Sequence, residues 1–150
     1  MKKTTKTFAL ATLLAGLAGG AWAQATPVGL WKTIDDETKK EKSLVRITEA
    51  DGVLTGKIEK LLDPEAKADA KCDKCSDERK DQPVVGLPII RNVKKEKDEE
   101  RWSGGDILDP NKGKVYRVRM TPTEGGKKLE VRGYFGSPII GRTQVWQRVE

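Results

Sequence analysis

The stretch Val115-Tyr116-Arg117-Val118-Arg119-Met120-Thr121 alternates apolar and charged side chains one by one. A period of two is what a strand with one buried face requires. Tyr116, Val118 and Met120 take one side, Arg117 and Arg119 the other. Lys128 to Phe135 repeats the pattern: Leu129, Val131, Gly133 and Phe135 share a face, while Lys128, Glu130 and Arg132 point away. Between the two lies Pro122 to Lys127, with Gly125 and Gly126. Residues of that kind make turns, so the pair reads as a hairpin.

Working outward, Leu44–Glu49 and Val53–Leu61 flank Asp51-Gly52, a dipeptide that tolerates the positive φ of a tight hairpin. Asp109-Pro110-Asn111-Lys112-Gly113 is a second turn signal, separating Trp102–Leu108 from the strand at Tyr116. Val28–Ile34, Ile89–Lys95 and Thr143–Val149 complete a set of about eight short strands, the number at which an up-and-down antiparallel sheet closes into a small barrel. The expected fold is therefore all-β, a small antiparallel up-and-down barrel. Asp63 to Pro83 is charged, breaks the alternation and contains both cysteines, so it reads as one long covering loop.

The chain has 150 residues, and its first 23 have the character of an address. Lys2, Lys3 and Lys6 precede an uncharged run from Phe8 to Ala21, and Ala21-Trp22-Ala23 offers a small-x-small cleavage site. The expectation is a signal peptide over residues 1–23, removed on export to the periplasm of a Gram-negative cell or to the medium. Residues 24–150 then form a single domain. The apolar run is shorter than the roughly 20 residues that span a bilayer, so no transmembrane segment is expected. The formal charge is +6, but three of the 29 basic residues belong to the leader, and the remainder face 23 acids with the two signs interspersed. Such a balance does not indicate a nucleic-acid partner.

The chain contains no histidine. Ser-His-Asp and Cys-His catalysis are thereby excluded, and with only two cysteines no metal site or other cofactor is expected. Cys72-Asp73-Lys74-Cys75 reads in an oxidising compartment as a structural disulfide that pins its loop. A redox pair needs a stabilised thiolate, whereas Asp73 and Asp77 oppose Lys71 and Lys74 here. Gly136 to Thr143 spells G-x-x-x-x-G-R-T, but arginine replaces the P-loop lysine and the following residues alternate as a strand. Trp31 on the first strand, with Trp146 and Arg148 on the last, would meet if the sheet closes, a tryptophan ring packing under the guanidinium to plug one end. This is a structural role.

The mature chain keeps six aromatics, and the inward positions Tyr116, Val118, Leu129 and Val131 surround Gly133, a lining short of bulk. An interior so lined favours a small apolar or amphipathic ligand, with these four as candidate ligand-binding residues. The functional expectation is a periplasmic binding module and not an enzyme. The alternatives are a structural or partner-binding envelope protein with a filled core, and a thiol-disulfide oxidoreductase. The outward arginines Arg117, Arg119 and Arg132 form a basic face toward which an anionic lipid or glycan of the envelope would be drawn, although Glu130 lies among them.

Several segments taken together carry a family resemblance. Cys72-Asp73-Lys74-Cys75, Val85-Gly86-Leu87-Pro88-Ile89, Trp102-Ser103-Gly104-Gly105 with Ile107-Leu108-Asp109-Pro110, Val131-Arg132-Gly133-Tyr134 and Gly141-Arg142-Thr143-Gln144-Val145-Trp146-Gln147-Arg148 resemble the exported bacterial family called domain of unknown function 2147. Gly29-Leu30-Trp31 on the first strand and an arginine on the last also resemble the lipocalin pattern. The resemblance implies a small exported single domain with a lipocalin-like barrel. It implies no catalytic residues.

Overall fold

The computed structural model describes residues 25–150, so the leader and cleavage site expected within residues 1–23 lie outside the described residues. Nine strands follow in order: β1 (Gly29–Ile34), β2 (Glu41–Ala50), β3 (Val53–Leu61), β4 (Pro88–Lys95), β5 (Trp102–Ser103), β6 (Asp106–Asp109), β7 (Lys114–Thr123), β8 (Lys128–Tyr134) and β9 (Gly141–Arg148). Apart from β5 and β6, neighbours in the chain pair antiparallel, and β9 returns to β1 with Trp31 opposite Arg148 and Lys32 opposite Gln147. The sheet is closed.

Strands β5 and β6 are two halves of one stave, since both pair with β4 on one side and β7 on the other. Nine strands therefore make an eight-staved barrel. The break between the halves falls at Gly104-Gly105. Gly104 has φ 84°, and a Cβ on Gly105 would stand 2.0 Å from the Arg91 carbonyl oxygen of β4. No larger residue fits where two backbones approach so closely.

One end of the barrel carries the turns after β2, β4 and β7, and its interior is packed. Val45, Ile47, Leu54, Val93, Met120 and Leu129 are fully buried there, as the inward faces of alternating strands should be. Trp31 closes this end: it is fully buried, and its indole Nε1 donates to the Pro27 carbonyl at 2.6 Å. The Arg148 guanidinium lies 4.2 Å from the Trp31 ring centroid and donates to the carbonyls of Thr26 (2.6 Å), Gly126 (2.5 Å) and Val28 (2.8 Å). Burial holds the Arg148 pKa below the usual arginine value. Backbone acceptors and the ring face replace the water its charge has lost.

The opposite end carries the turns after β1, β3, β6 and β8 and is open. Residues 62–87, the connection from β3 to β4, stand beside this opening. Cys72 and Cys75 form a disulfide, both buried, with the Cys72 side chain against the turn that holds Pro110. The loop's other anchor is Arg79, 2% exposed, which pairs with Asp77 at 2.6 Å and donates to the Pro88 carbonyl at 3.0 Å.

Candidate functional site

The open end leads into a cavity of about 690 Å³, within the range that holds a small organic ligand. Its apolar lining includes Ile58, Leu61, Val84, Ile89, Ile107, Leu108, Val131 and Trp146. Nearer the mouth stand Tyr116, Tyr134, Phe135 and Ile140. Gly133 widens the space. A Cβ there would meet Tyr116 and Ile107 side chains only at ordinary contact distances of 3.6 and 3.7 Å.

Most charged groups at the rim are spent on one another and on the turns. Asp35 accepts from the Thr38 backbone at 2.7 Å, the Thr38 hydroxyl at 2.9 Å and the Glu37 backbone at 3.1 Å, and the Thr38 amide leads in holding its pKa below the usual carboxylate value. Asp63 pairs with Lys42 and accepts from the Glu65 amide at 3.0 Å. The Lys42 bond lowers the Asp63 pKa and raises that of Lys42. Asp109 accepts from the amides of Asn111 (3.0 Å) and Lys112 (3.3 Å). These three aspartates each open a mouth turn by bending back on it.

At the mouth, Asp36 just past β1 and Arg142 on the adjacent strand β9 pair at 2.6 and 3.0 Å, with Glu37 a further 3.2 Å partner of the arginine. Desolvation pushes the Asp36 pKa up, but Arg142 and Gln144 outweigh it and the net direction is down. Gln144 also accepts from the Trp146 indole at 2.9 Å. Trp146, Gln144, Asp36 and Arg142 thus form a chain from the cavity floor to the rim. The Thr33 and Ser43 hydroxyls bond each other at 2.9 Å. The interior that remains is apolar with a few neutral polar groups. Among the described residues no three metal-ligating side chains converge.

Of the four inward residues expected to contact a ligand, Tyr116 and Val131 line the cavity, whereas Val118 and Leu129 are fully buried outside its lining. Alternation tells which side chains point inward but not which of them meet a void: Leu129 sits one residue from the plugged-end start of β8, and Val118, although opposite the cavity-lining Gly133, is fully covered by its neighbours. Trp146, expected beside Arg148 in the closure, instead forms cavity floor two residues nearer the mouth. The alternation of β8 fails at its end. Tyr134 is buried and lines the cavity, and Phe135, expected inside, is 55% exposed beyond the last ladder pair, its ring tilted against that of Tyr116 with centroids 4.6 Å apart. The G-x-x-x-x-G-R-T stretch leads into β9, with no helix after it.

Thr33 and Ser43 carried a usable signal, since Thr33 shares the parity of Trp31. The Asp36–Arg142 pair carried none, its members being 106 residues apart.

A search of proteins with curated descriptions finds no match. Among solved structures, a protein of Helicobacter pylori, described as belonging to the lipocalin family, superposes with a TM-score of 0.72 at 21% identity, covering 84% of each chain. At that identity the likeness is one of fold. The family model described as "Uncharacterized protein conserved in bacteria", domain of unknown function 2147, matches residues 29–148, and with its closed lipocalin-like barrel the chain belongs to that family.

Proposed function

We propose that this protein is a non-enzymatic binding module, exported to the periplasm or beyond, that holds a small apolar or amphipathic molecule in the open end of its barrel. The observation that carries the reading is the cavity of about 690 Å³ with an apolar floor and a rim where Lys42 and Arg142 are already paired with Asp63 and Asp36. A ligand with a large apolar body loses water there without stranding a buried charge. The fold likeness to a lipocalin-family protein supports a binding role over a catalytic one. The burial of Cys72 and Cys75 supports a structural disulfide over an oxidoreductase, because exchange requires an accessible sulfur.

The test is a panel of fatty acids, isoprenoids and an environment-sensitive dye, followed by tryptophan fluorescence, with native mass spectrometry on protein isolated from cells. Trp146 is the reporter, being cavity floor. At least one class is expected to bind below about 100 μM, or roughly −5.5 kcal/mol. If none binds and none co-purifies, the protein is a structural or partner-binding envelope component.

A further inference from the structure

The segment between β8 and β9 exposes three large apolar side chains within six residues: Phe135 at 55%, Ile139 at 87% and Ile140 at 71%. The segment is braced. Arg132 donates to the carbonyls of Pro138 (2.6 Å) and Ile139 (3.2 Å) and to the Thr143 hydroxyl (2.9 Å), the Ile140 amide bonds the Ser137 carbonyl at 3.1 Å, and the Phe135 amide bonds that of Ile140 at 3.3 Å. The arginine side chain so holds the loop in place and leaves the isoleucines in water. Val115 adds exposed apolar surface at the same corner, since β7 and β8 run together with Arg117 opposite Tyr134.

Two further observations say what covers this tip. Phe135 and Ile140 are at once part of the exposed tip and part of the cavity lining, so apolar surface runs unbroken from the outside of the mouth to its inside. Flanking it, Lys114 and Arg117 are exposed and take part in no ion pair among the described residues; of the nearby acids, their ladder partners Asp109 and Asp106 pair with Lys112 and Arg91, and Asp36 and Glu37 with Arg142. A projecting apolar tip with unpaired cations beside it matches an anionic lipid interface, where side chains enter the acyl boundary and cations meet headgroups.

We propose that the open end docks on an anionic bilayer through Ile139 and Ile140, with Lys114 and Arg117 against the headgroups, so that the cavity mouth faces the lipid from which an apolar molecule enters. The purpose of the docking rests on the ligand-binding reading above; its geometry does not.

Flotation of the purified full chain with phosphatidylglycerol/phosphatidylethanolamine vesicles, compared with vesicles of phosphatidylcholine alone, tests it. The parent protein floats with the anionic vesicles, less so as salt rises. The double variant Ile139→Asp, Ile140→Asp, at positions already in water, keeps the melting temperature and loses about tenfold or more of the binding. Lys114→Glu with Arg117→Glu loses several-fold, chiefly at low salt. The proposal is overturned if the parent does not float, or if it floats equally well without the isoleucines. It is also overturned if light scattering shows a dimer that the isoleucine variant dissolves while the parent ignores vesicles, for the tip is then an interface between copies. A soluble apolar dye separates the two readings. Dye uptake without flotation removes docking alone, and flotation without uptake leaves docking standing and removes the cavity ligand.

Discussion

Trp31 and Arg148 act as one closure, because the ring that fills the barrel end also supplies the face on which the buried guanidinium rests. Trp31→Ala therefore removes a fully buried aromatic and exposes the cation's underside, and is expected to lower stability by about 3–5 kcal/mol in urea unfolding. An unchanged midpoint would mean the end is closed by other contacts. Asp77 makes a residue-scale prediction about pH. Its hydrogen bond to Arg79 lowers its pKa from 3.8 to about 2, so the folded state binds this proton less readily than the unfolded state does. The resulting stability is fully present above about pH 4 and is lost as pH falls through about 2. Asp77→Asn should flatten that part of the stability profile, and an identical acid limb in the variant would assign the loss to other carboxylates.

Strand β8 shows how one element divides its labour along its length. Leu129 is core, Val131 is cavity wall, Gly133 is the gap that gives the cavity width, and Tyr134 turns in at the mouth. Gly133→Leu places new side-chain volume in empty space, so dye affinity should fall by about tenfold or more while the melting temperature stays level or rises. Undiminished binding would put the ligand elsewhere. Val118 is different: it sits in filled core, and Val118→Trp should destabilise by overpacking, by about 1–3 kcal/mol or more. The loop at 62–87 is the other element with a measurable role. Replacing both Cys72 and Cys75 by Ala should cost about 2 kcal/mol, the loop-closure value for so short a ring, and thiol reagents should label the parent chain only after reduction. Reactive thiols in the untreated folded protein would reopen the redox reading.

At the scale of the whole molecule, a plugged, filled half carries an open, emptied half, so stability and binding can be altered separately: Trp31 belongs to the first and Gly133 to the second. The strands were legible because alternation is local, each residue's side being set by the pleat of its own backbone. Asp51-Gly52 and the glycines near Lys127 marked their turns for the same local reason, and chain-order pairing of successive hairpins then followed. Closure of β9 on β1 could be inferred from strand number and from the lipocalin-like resemblance of the first and last strands, and from no local pattern. What each inward residue faces was not legible at all, since it depends on the register, tilt and packing of every stave together, and so Val118 and Leu129 fell in core while Tyr116 and Val131 fell on cavity. Likewise Asp36 and Arg142 have nothing in their neighbourhoods to link them. Sequence by itself determined which residues form strands and which face inward, because those are properties of a few consecutive bonds. Tertiary structure alone decided which inward face meets a neighbour and which meets a void, because that is a property of the closed sheet.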